Sequence, residues 1–215
     1  MQPQRILLAT GNAHKAEEIR AILAPLLPQS IELVSLSDLS LPSPPGSVES
    51  GSTFTANSRA KALWCRDISG LASIADDSGL CVDCLGGAPG IRSARWAGPT
   101  DHDRNMRLLD EMRLAGATLP EQRTAHFVCA VTFAPADPGR PVICALGELA
   151  GVILGEPRGE GGFGYDPLFY IPGVGCTLAE AGSTVKNEIS HRSAALRHLV
   201  AQPAFLFPKS AAELG

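Results

Sequence analysis

The stretch ADDSGLCVDCLGGAPGIRSARWAG, residues 75–98, gathers acids, hydroxyls, arginines and glycines more densely than any other part of the chain. The apolar run at residues 71–75 predicts a buried strand. Asp76-Asp77-Ser78-Gly79 then predicts a turn at the strand end, because such residues bind their own backbone. Since successive side chains of extended backbone point to opposite faces, we expect Asp77 to face a cleft while Asp76 braces the turn.

The residues that follow this turn favour a binding site over a simple solvated turn, which is the commoner fate of such a tetrapeptide. Gly86-Gly87 and Pro89-Gly90 expose backbone, and Ser93-Ala94-Arg95 adds a hydroxyl and a positive charge. A basic loop with accessible backbone suits an anionic ligand. The sequence therefore predicts a polar site that accepts negative charge.

Length and composition limit the class of protein. A chain of 215 residues, 45% hydrophobic and 19% charged, predicts one globular domain over residues 1–215, with two lobes and no separable linker. The net charge of −4 argues against nucleic acid or an anionic membrane as a partner. The apolar run at residues 6–9 is too short for a signal peptide or membrane span, so we expect a cytoplasmic protein.

Six cysteines are scattered along the chain, and most lie in apolar sequence. Cys81 and Cys84 have the spacing of a redox pair, but on extended backbone they would face opposite sides of a sheet. We therefore expect both to pack in the core. No second Cys/His pair stands at zinc-ligand spacing.

The N-terminal segment predicts a strand, a polar turn and a helix. Residues 5–9 are strand-like, Thr10-Gly11-Asn12 form the turn, and an amphipathic helix follows from about Lys15. Free N–H groups, the helix dipole and the Lys15 charge favour phosphate binding there. The alternative is an ordinary capped helix start, because no Walker pattern is present.

A second helix, reaching about residue 65, carries a stripe of mixed character. Phe54, Asn57, Lys61 and Trp64 recur at helical spacing, and a purely structural stripe seldom buries an amide and an ammonium. We expect Asn57 and Lys61 to border a polar cleft, the alternative being that Lys61 extends to water. Glu49, just before the helix, is a candidate metal carboxylate or else a surface glutamate.

The remaining elements predict a mixed sheet. Residues 31–36 form a strand, Thr100 and Asp103 cap a helix over residues 101–114, and strands at 125–134 and 142–154 pair antiparallel. We expect the last strand to be interrupted near residues 147–151. The tail at residues 203–215 shows no chemistry.

A glycine-rich segment, residues 159–164, matches the dinucleotide pattern G-x-G-x-x-G, but Tyr165-Asp166-Pro167 prevents the helix that this pattern requires. The segment suits presentation of an aromatic face to a flat base, and anchoring of Phe163 and Tyr165 in a core is an equal alternative. Further on, Lys186, His191 and Arg192 surround Ser190, a natural helix cap, and offer donors for phosphate or a carbonyl oxygen. Surface decoration is the alternative for these three.

Five ordered motifs together resemble the inosine/xanthosine triphosphate pyrophosphatase family over residues 6–199. They are Thr10-Gly11-Asn12-Ala13-His14-Lys15, Glu49-x-Gly51-x-Thr53-Phe54-x-x-Asn57, the run from Asp76 to Arg95, Gly162-Phe163-Gly164-Tyr165-Asp166-Pro167, and Ser190-His191-Arg192. The resemblance implies an α/β fold with an elongated, mixed, twisted sheet, helices on both sides and two lobes flanking a central cleft. It also implies a homodimer.

The resemblance further implies Mg²⁺-dependent hydrolysis of inosine, deoxyinosine or xanthosine triphosphate to monophosphate and pyrophosphate. Asp77 would be the catalytic base, and Asp77 and Glu49 would hold Mg²⁺. A related pyrophosphatase for pyrimidine or other modified nucleotides and a non-catalytic nucleotide sensor remain as alternatives. The implied substrate-binding residues are Thr10, Gly11, Asn12, Ala13, His14, Lys15, Ser78, Phe163, Gly164, Tyr165, Asp166, Lys186, His191 and Arg192.

Overall fold

The computed structural model describes residues 4–205, in which a mixed sheet is packed between α-helices. The strands are β1 (Gln4–Leu8), β2 (Ile31–Ser35), β3 (Ala72–Val82), β4 (Thr124–Ala134), β5 (Ile143–Ile153), β6 (Phe169–Ile171) and β7 (Cys176–Thr177). The helices are α1 (Ala13–Leu23), α2 (Phe54–Ser69), α3 (Asp101–Leu114), α4 (Gly182–Ile189) and α5 (His191–Val200).

The strand order is β2-β1-β3-β4-β5-β6-β7. Strands β2, β1 and β3 run parallel, and each later neighbour is antiparallel. The mixed sheet and the antiparallel β4/β5 pair are therefore confirmed. The turn between those two strands closes on Asp137, whose side chain accepts from the Gly139 N–H.

Alternate side chains of β1 point to opposite faces of the sheet, and helices pack against both faces. Ile6 and Leu8 belong to a core with Ile19 of α1 and Leu196 of α5, whereas Leu7 packs in a core that includes residues of α2. Burial of these fully enclosed side chains is the main driving force for docking the helices. Helices on both sides of the sheet are confirmed.

A separate core lies at the other end of β3 and β4. Leu80 and Val82 of β3 pack there with Leu108 and Met112 of α3. Ala72 and Ile74, earlier on the same strand, belong to the core beneath α1 and α5. The polar residues 76–78 thus occupy the part of β3 that passes from one core to the other.

The prediction of a turn at Asp76-Asp77-Ser78-Gly79 is wrong, because β3 continues through all four residues. Asp76 pairs with Val131 of β4, Asp77 with Ala130, and Ser78 with Cys129. Ladder bonding to β4 and neutralisation of both carboxylates by cations override the local turn preference. The acids consequently lie within the sheet and not at its edge.

The predicted interruption of β5 is also wrong. Gly147 and Gly151 lie within a continuous strand, where each permits a close approach. A Cβ at Gly147 would lie 2.3 Å from backbone atoms of α5, and one at Gly151 would lie 2.6 Å from the Phe169 ring. These glycines therefore mark packing contacts and not a break.

Other boundaries differ slightly from the sequence prediction. Helix α1 starts at Ala13 and not at Lys15, and α4 was not anticipated. The Thr100/Asp103 capping box and the Ser190 cap of α5 are confirmed.

Three further features concern the cysteines, the C-terminal residues and the length of the helices. Cys81 and Cys84 are free thiols and half-buried. Cys84 packs against the core that contains Leu80, whereas Cys81 belongs to none of the cores that the described residues form, so the expectation that both pack in the core is wrong for Cys81. Part of the predicted plain tail, residues 206–215, lies outside the described residues. None of the helices in residues 4–205 has the length and apolar character needed to cross a bilayer.

Candidate active site

The junction of β1 and α1 forms one wall of the site. The Asn12 side chain caps α1 by accepting from the Lys15 N–H at 3.2 Å, and the Thr10 hydroxyl accepts from the Asn12 N–H at 3.2 Å. The predicted polar turn thus directs the positive end of the helix dipole and the Lys15 ammonium toward the middle of β3. Lys15 Nζ lies 3.0 Å from Asp76 Oδ2.

Asp76 and Asp77 face opposite sides of the sheet, as the strand alternation predicts. Asp76 is 1% exposed and contacts Lys15 and Arg192. Asp77 is 8% exposed and contacts Lys61 and Asn57 of α2. The two neighbouring carboxylates therefore belong to different groups of side chains.

On the Asp77 face, two carboxylates meet on a single ammonium. Lys61 Nζ lies 3.2 Å from Asp77 Oδ1 and 3.2 Å from Glu49 Oε1. The Asn57 amide donates to Asp77 Oδ2 at 3.1 Å, and its oxygen accepts from the Gly51 N–H at 2.8 Å. The expectation of a polar cleft is confirmed for Lys61, which lines a cavity with Glu49 and Asp77. Asn57 does not line that cavity and contacts it only through its bond to Asp77.

Burial and charge act differently on the two carboxylates of this cluster. Burial raises the pKa of Asp77 above its ordinary value, although Lys61 and Lys15 oppose the shift. Burial also acts to raise the pKa of Glu49, but Lys61 and Arg95 outweigh it and hold that pKa below its ordinary value. A carboxylate with a raised pKa beside one that stays ionised suits proton acceptance at Asp77.

The same two carboxylates have the chemistry of a magnesium site. Within residues 4–205 no group of three or more His, Cys, Asp or Glu side chains converges as a complete metal site. Magnesium, however, is commonly held by one or two carboxylates together with waters and substrate phosphates. Glu49 and Asp77 fit that pattern, since both approach the same point, now occupied by the Lys61 ammonium, beside a cavity lined with polar groups.

On the Asp76 face, acids and bases alternate in a buried network. Arg192 donates to Asp76 Oδ2 from Nε at 3.2 Å and from Nη2 at 3.0 Å, and its Nη1 pairs with Glu18. Lys186 Nζ lies 2.6 Å from Glu18 and also pairs with Asp166. Burial opposes ionisation of Asp76, but Lys15 and Arg192 outweigh it and hold the pKa of Asp76 well below its ordinary value.

Aromatic rings line the space above this network. The His191 ring stacks on Phe127, with centroids 4.6 Å apart and planes 9° apart. The Phe163 ring lies 4.4 Å from Lys186 Nζ and 5.7 Å from the His14 ring. His191 Nδ1 is buried without a hydrogen-bond partner. Burial, Arg192 and Lys186 lower the pKa of His191 well below its ordinary value, so the ring is neutral.

Two adjoining cavities, each of about 270 Å³, share the wall formed by Asn12, Lys15, Ser78 and Ala94. One is polar and carries two carboxylates together with three cations; we call it the acidic cavity after its carboxylates, and it is lined among others by Thr10, Gly11, Glu49, Lys61, Asp77 and Arg95. The other is basic and aromatic; we call it the aromatic cavity, lined among others by His14, Phe127, Phe163, Gly164, Tyr165, Asp166, Lys186, His191 and Arg192.

The structure brings all but one of the sequence-predicted site residues to the walls of these cavities; Ala13 lines neither. The site prediction missed Asp76, Glu18 and Phe127. Glu18 lies one helical turn after Lys15, a spacing that places both on one face of α1. Phe127 could have been found from strand alternation with Cys129.

These features define a class of protein, an α/β fold in which a mixed sheet carries an acidic cavity beside a basic and aromatic one. The chain belongs to the Ham1 family, whose model matches residues 6–202. The resemblance stated from the motifs is thereby confirmed.

Individual relatives and solved structures agree with this assignment. The chain is 48% identical over 200 residues to the dITP/XTP pyrophosphatase of Aromatoleum aromaticum, covering 92% of this chain and 96% of that protein. It is 45% identical to a dITP/XTP pyrophosphatase of Thermus thermophilus, covering 93% of this chain and 92% of that protein. The HAM1 protein structure from Coxiella burnetii matches with a TM-score of 0.79 at 36% identity, covering 92% of this chain and 96% of that one.

Proposed function

We propose that this protein is a nucleoside triphosphate pyrophosphatase that hydrolyses deaminated purine nucleotides, namely inosine, deoxyinosine and xanthosine triphosphates. The products are the nucleoside monophosphate and pyrophosphate. The observation that carries the proposal is the convergence of Glu49 and Asp77 on Lys61, directly beside a cavity of aromatic and cationic side chains. The relatives that match nearly the whole chain are named as dITP/XTP pyrophosphatases, which supports the same reaction.

The two cavities divide the substrate between them. The aromatic cavity suits the purine, which Phe163 and the stacked Phe127/His191 pair can enclose. The acidic cavity suits the triphosphate because the Thr10-Gly11-Asn12 turn and the cations Lys15, Lys61 and Arg95 line it. The scissile bond between the α- and β-phosphates then lies near Asp77.

Asp77 accepts the proton of the attacking water in this proposal. Its raised pKa brings the carboxylate closer to the range in which a general base operates, and Asn57 fixes its orientation. Lys15 and Lys61 stabilise the negative charge that grows on the phosphate oxygens. Glu49 and Asp77 would hold Mg²⁺, which supplies further neutralisation of the triphosphate when bound.

Selectivity at purine C6 follows from side chains that donate hydrogen bonds but cannot accept them. Lys186 and Arg192 line the aromatic cavity and carry hydrogen-bond donors without acceptors, so they suit a C6 carbonyl and not the amino group of adenine. Neutral His191 can pair with either group through its unpartnered Nδ1 by choosing a tautomer. A donor left unpaired by adenine costs about 1–3 kcal/mol.

The proposal is tested by measuring pyrophosphate release from inosine, xanthosine, adenosine and guanosine triphosphates with and without Mg²⁺. We expect release from the first two nucleotides, about 10- to 100-fold slower release from adenosine triphosphate, and none after chelation. Guanine shares the C6 carbonyl, so the guanosine rate measures discrimination at the purine 2-position. Equal turnover of adenosine triphosphate, or release of orthophosphate in place of pyrophosphate, would refute the proposal. Binding without turnover would indicate a sensor, and pyrimidine or methylated nucleotides in the same assay identify the related pyrophosphatases.

A homodimer and a cytoplasmic location complete the proposal. The family resemblance supports the dimer, and a substrate drawn from the free nucleotide pool supports the location. Light scattering is expected to give twice the chain mass of 22.5 kDa. A mass of one chain at micromolar concentration would contradict the dimer.

A further inference from the structure

Both backbone groups of Gly164 are held by side chains of α3. The Gly164 N–H donates to Asp101 Oδ2 at 2.6 Å, and the Asn105 amide donates to the Gly164 carbonyl at 3.0 Å. Gly164 has a φ of +66°, a left-handed conformation that glycine adopts at little cost. We call this pair of bonds the α3 clamp. It joins two segments that are about 60 residues apart in sequence.

The orientation of Asn105 shows that the clamp has a cost. Asn105 is 5% exposed, and its Oδ1 is buried without a hydrogen-bond partner. Turning the amide over would satisfy nothing at Gly164, because Oδ1 would then face the Gly164 carbonyl oxygen. A buried polar atom without a partner is unfavourable, so we expect the amide nitrogen of the same side chain to make a favourable interaction. Among residues 4–205, the bond to Gly164 is the one hydrogen bond of that amide nitrogen.

Asp101 is not needed to start the helix. Thr100 and Asp103 form the complete capping box, with the Thr100 hydroxyl accepting from the Asp103 N–H and the Asp103 carboxylate accepting from the Thr100 N–H. The Asp101 carboxylate is therefore available for Gly164, and its second oxygen pairs with Arg104. The two acids of the first turn thus have separate roles.

The residues on either side of Gly164 build the aromatic cavity. Phe163 lies against Lys186 and His14, and the Tyr165 hydroxyl donates to the Ser93 carbonyl at 3.0 Å. Asp101 and Gly164 line the same cavity. A shift of Gly164 would move both aromatic neighbours together, because only one residue separates them.

We propose that Asp101 and Asn105 are positioning residues that hold Phe163 in place against the purine base. This inference rests on the proposed function, since it assigns the aromatic cavity to the base. Asp77 and Glu49 lie in the other cavity, so loss of the clamp acts on substrate binding and leaves the chemical step largely intact. Neither positioning residue touches the reacting atoms.

The test uses Asn105→Ala and Asp101→Ala in the full chain, with Asp110→Ala as the matched control. Asp110 is an exposed acid on the same helix, and within the part of the chain that the structure describes its ion pair is with Arg113, 3.6 Å away. We expect each clamp variant to raise KM for inosine triphosphate about 10-fold while kcat changes by less than about 3-fold. Hydrogen exchange measured by mass spectrometry is expected to quicken in residues 162–166 and to stay slow in β3 and β4.

Asp101 has a side chain 42% exposed, so its variant keeps the test decisive if Asn105→Ala does not fold. An unchanged KM, a fall in kcat at constant KM, or unchanged exchange of residues 162–166 would overturn the inference. Exchange also separates this inference from the proposed function. Were the wild-type chain inactive on inosine triphosphate, the proposed function would fail, whereas the exchange of residues 162–166 would still decide whether the clamp holds the segment.

Discussion

The two faces of β3 give neighbouring aspartates opposite environments. Asp76 accepts hydrogen bonds from Lys15, Arg192 and Ser78, and the charges of Lys15 and Arg192 neutralise its carboxylate. Asp77 shares Lys61 with Glu49 and borders a cavity. The pKa of Asp76 is lowered by its cations, and the pKa of Asp77 is raised by burial. Because the strand alternates, identical side chains one residue apart have opposite pKa shifts, which supports the proposal that Asp77 is the reactive base and Asp76 a structural anion.

The largest expected effect is the loss of catalytic activity on the Asp77 face of β3. Asp77→Asn removes the proposed proton acceptor and one of the two proposed metal carboxylates, so we expect kcat for inosine triphosphate to fall about 10⁴-fold. Since burial disfavours the charged form of Asp77, the unfolding free energy should change by less than about 1 kcal/mol. Steady-state kinetics and urea unfolding measure both. Activity within about 10-fold of wild type would remove Asp77 from the mechanism.

Asp76→Asn tests whether the carboxylate on the opposite face of β3 stabilises the fold. The change leaves the buried charge of Arg192 and the partly buried charge of Lys15 without their shared anion. Breaking a buried pair costs about 3 kcal/mol or more. Urea unfolding at neutral pH is the measurement. A variant as stable as wild type would show that this network does not support the fold.

The pH dependence of the unfolding free energy tests the depressed pKa of His191. Burial and the charges of Arg192 and Lys186 depress the pKa of His191 from 6.5, with Asp76 opposing and Lys15 adding to the depression. The unfolded chain therefore takes up a proton near pH 6.5 that the folded chain refuses. Stability from this group is complete above that pH and is lost below it at about 1.4 kcal/mol per pH unit.

Urea unfolding at about pH 7 and about pH 5.5, on either side of the ordinary histidine pKa, compares wild type with His191→Gln. His102→Gln, at an exposed histidine, serves as the control. We expect wild type to lose more stability on acidification than His191→Gln does. Equal losses in the two proteins would contradict the depressed pKa.

Part of this arrangement could be read from the sequence. Strand alternation was enough to place Asp76 and Asp77 on opposite faces, and helical spacing was enough to place Lys61 at a cleft. The local turn preference at residues 76–79 gave the wrong element, because pairing with β4 is decided by residues about 50 positions away.

The partners of the charged groups could not be read in the same way. Arg192 meets Asp76 across 116 residues, and Asn105 meets Gly164 across 59. No local pattern encodes such pairs, since they depend on how α5 and α3 dock onto the sheet. The motifs therefore predicted residues that line the two cavities, but not which acid neutralises which base.

The most direct test of the division between the two faces is a carboxyl-carbon NMR titration of the protein labelled at aspartate, with Asp76→Asn and Asp77→Asn used to assign the two signals. From the ordinary value of 3.8, the Asp76 midpoint should lie lower and the Asp77 midpoint higher. Coincident midpoints, or a higher midpoint for Asp76 than for Asp77, would contradict the assignment of the structural and the reactive carboxylate.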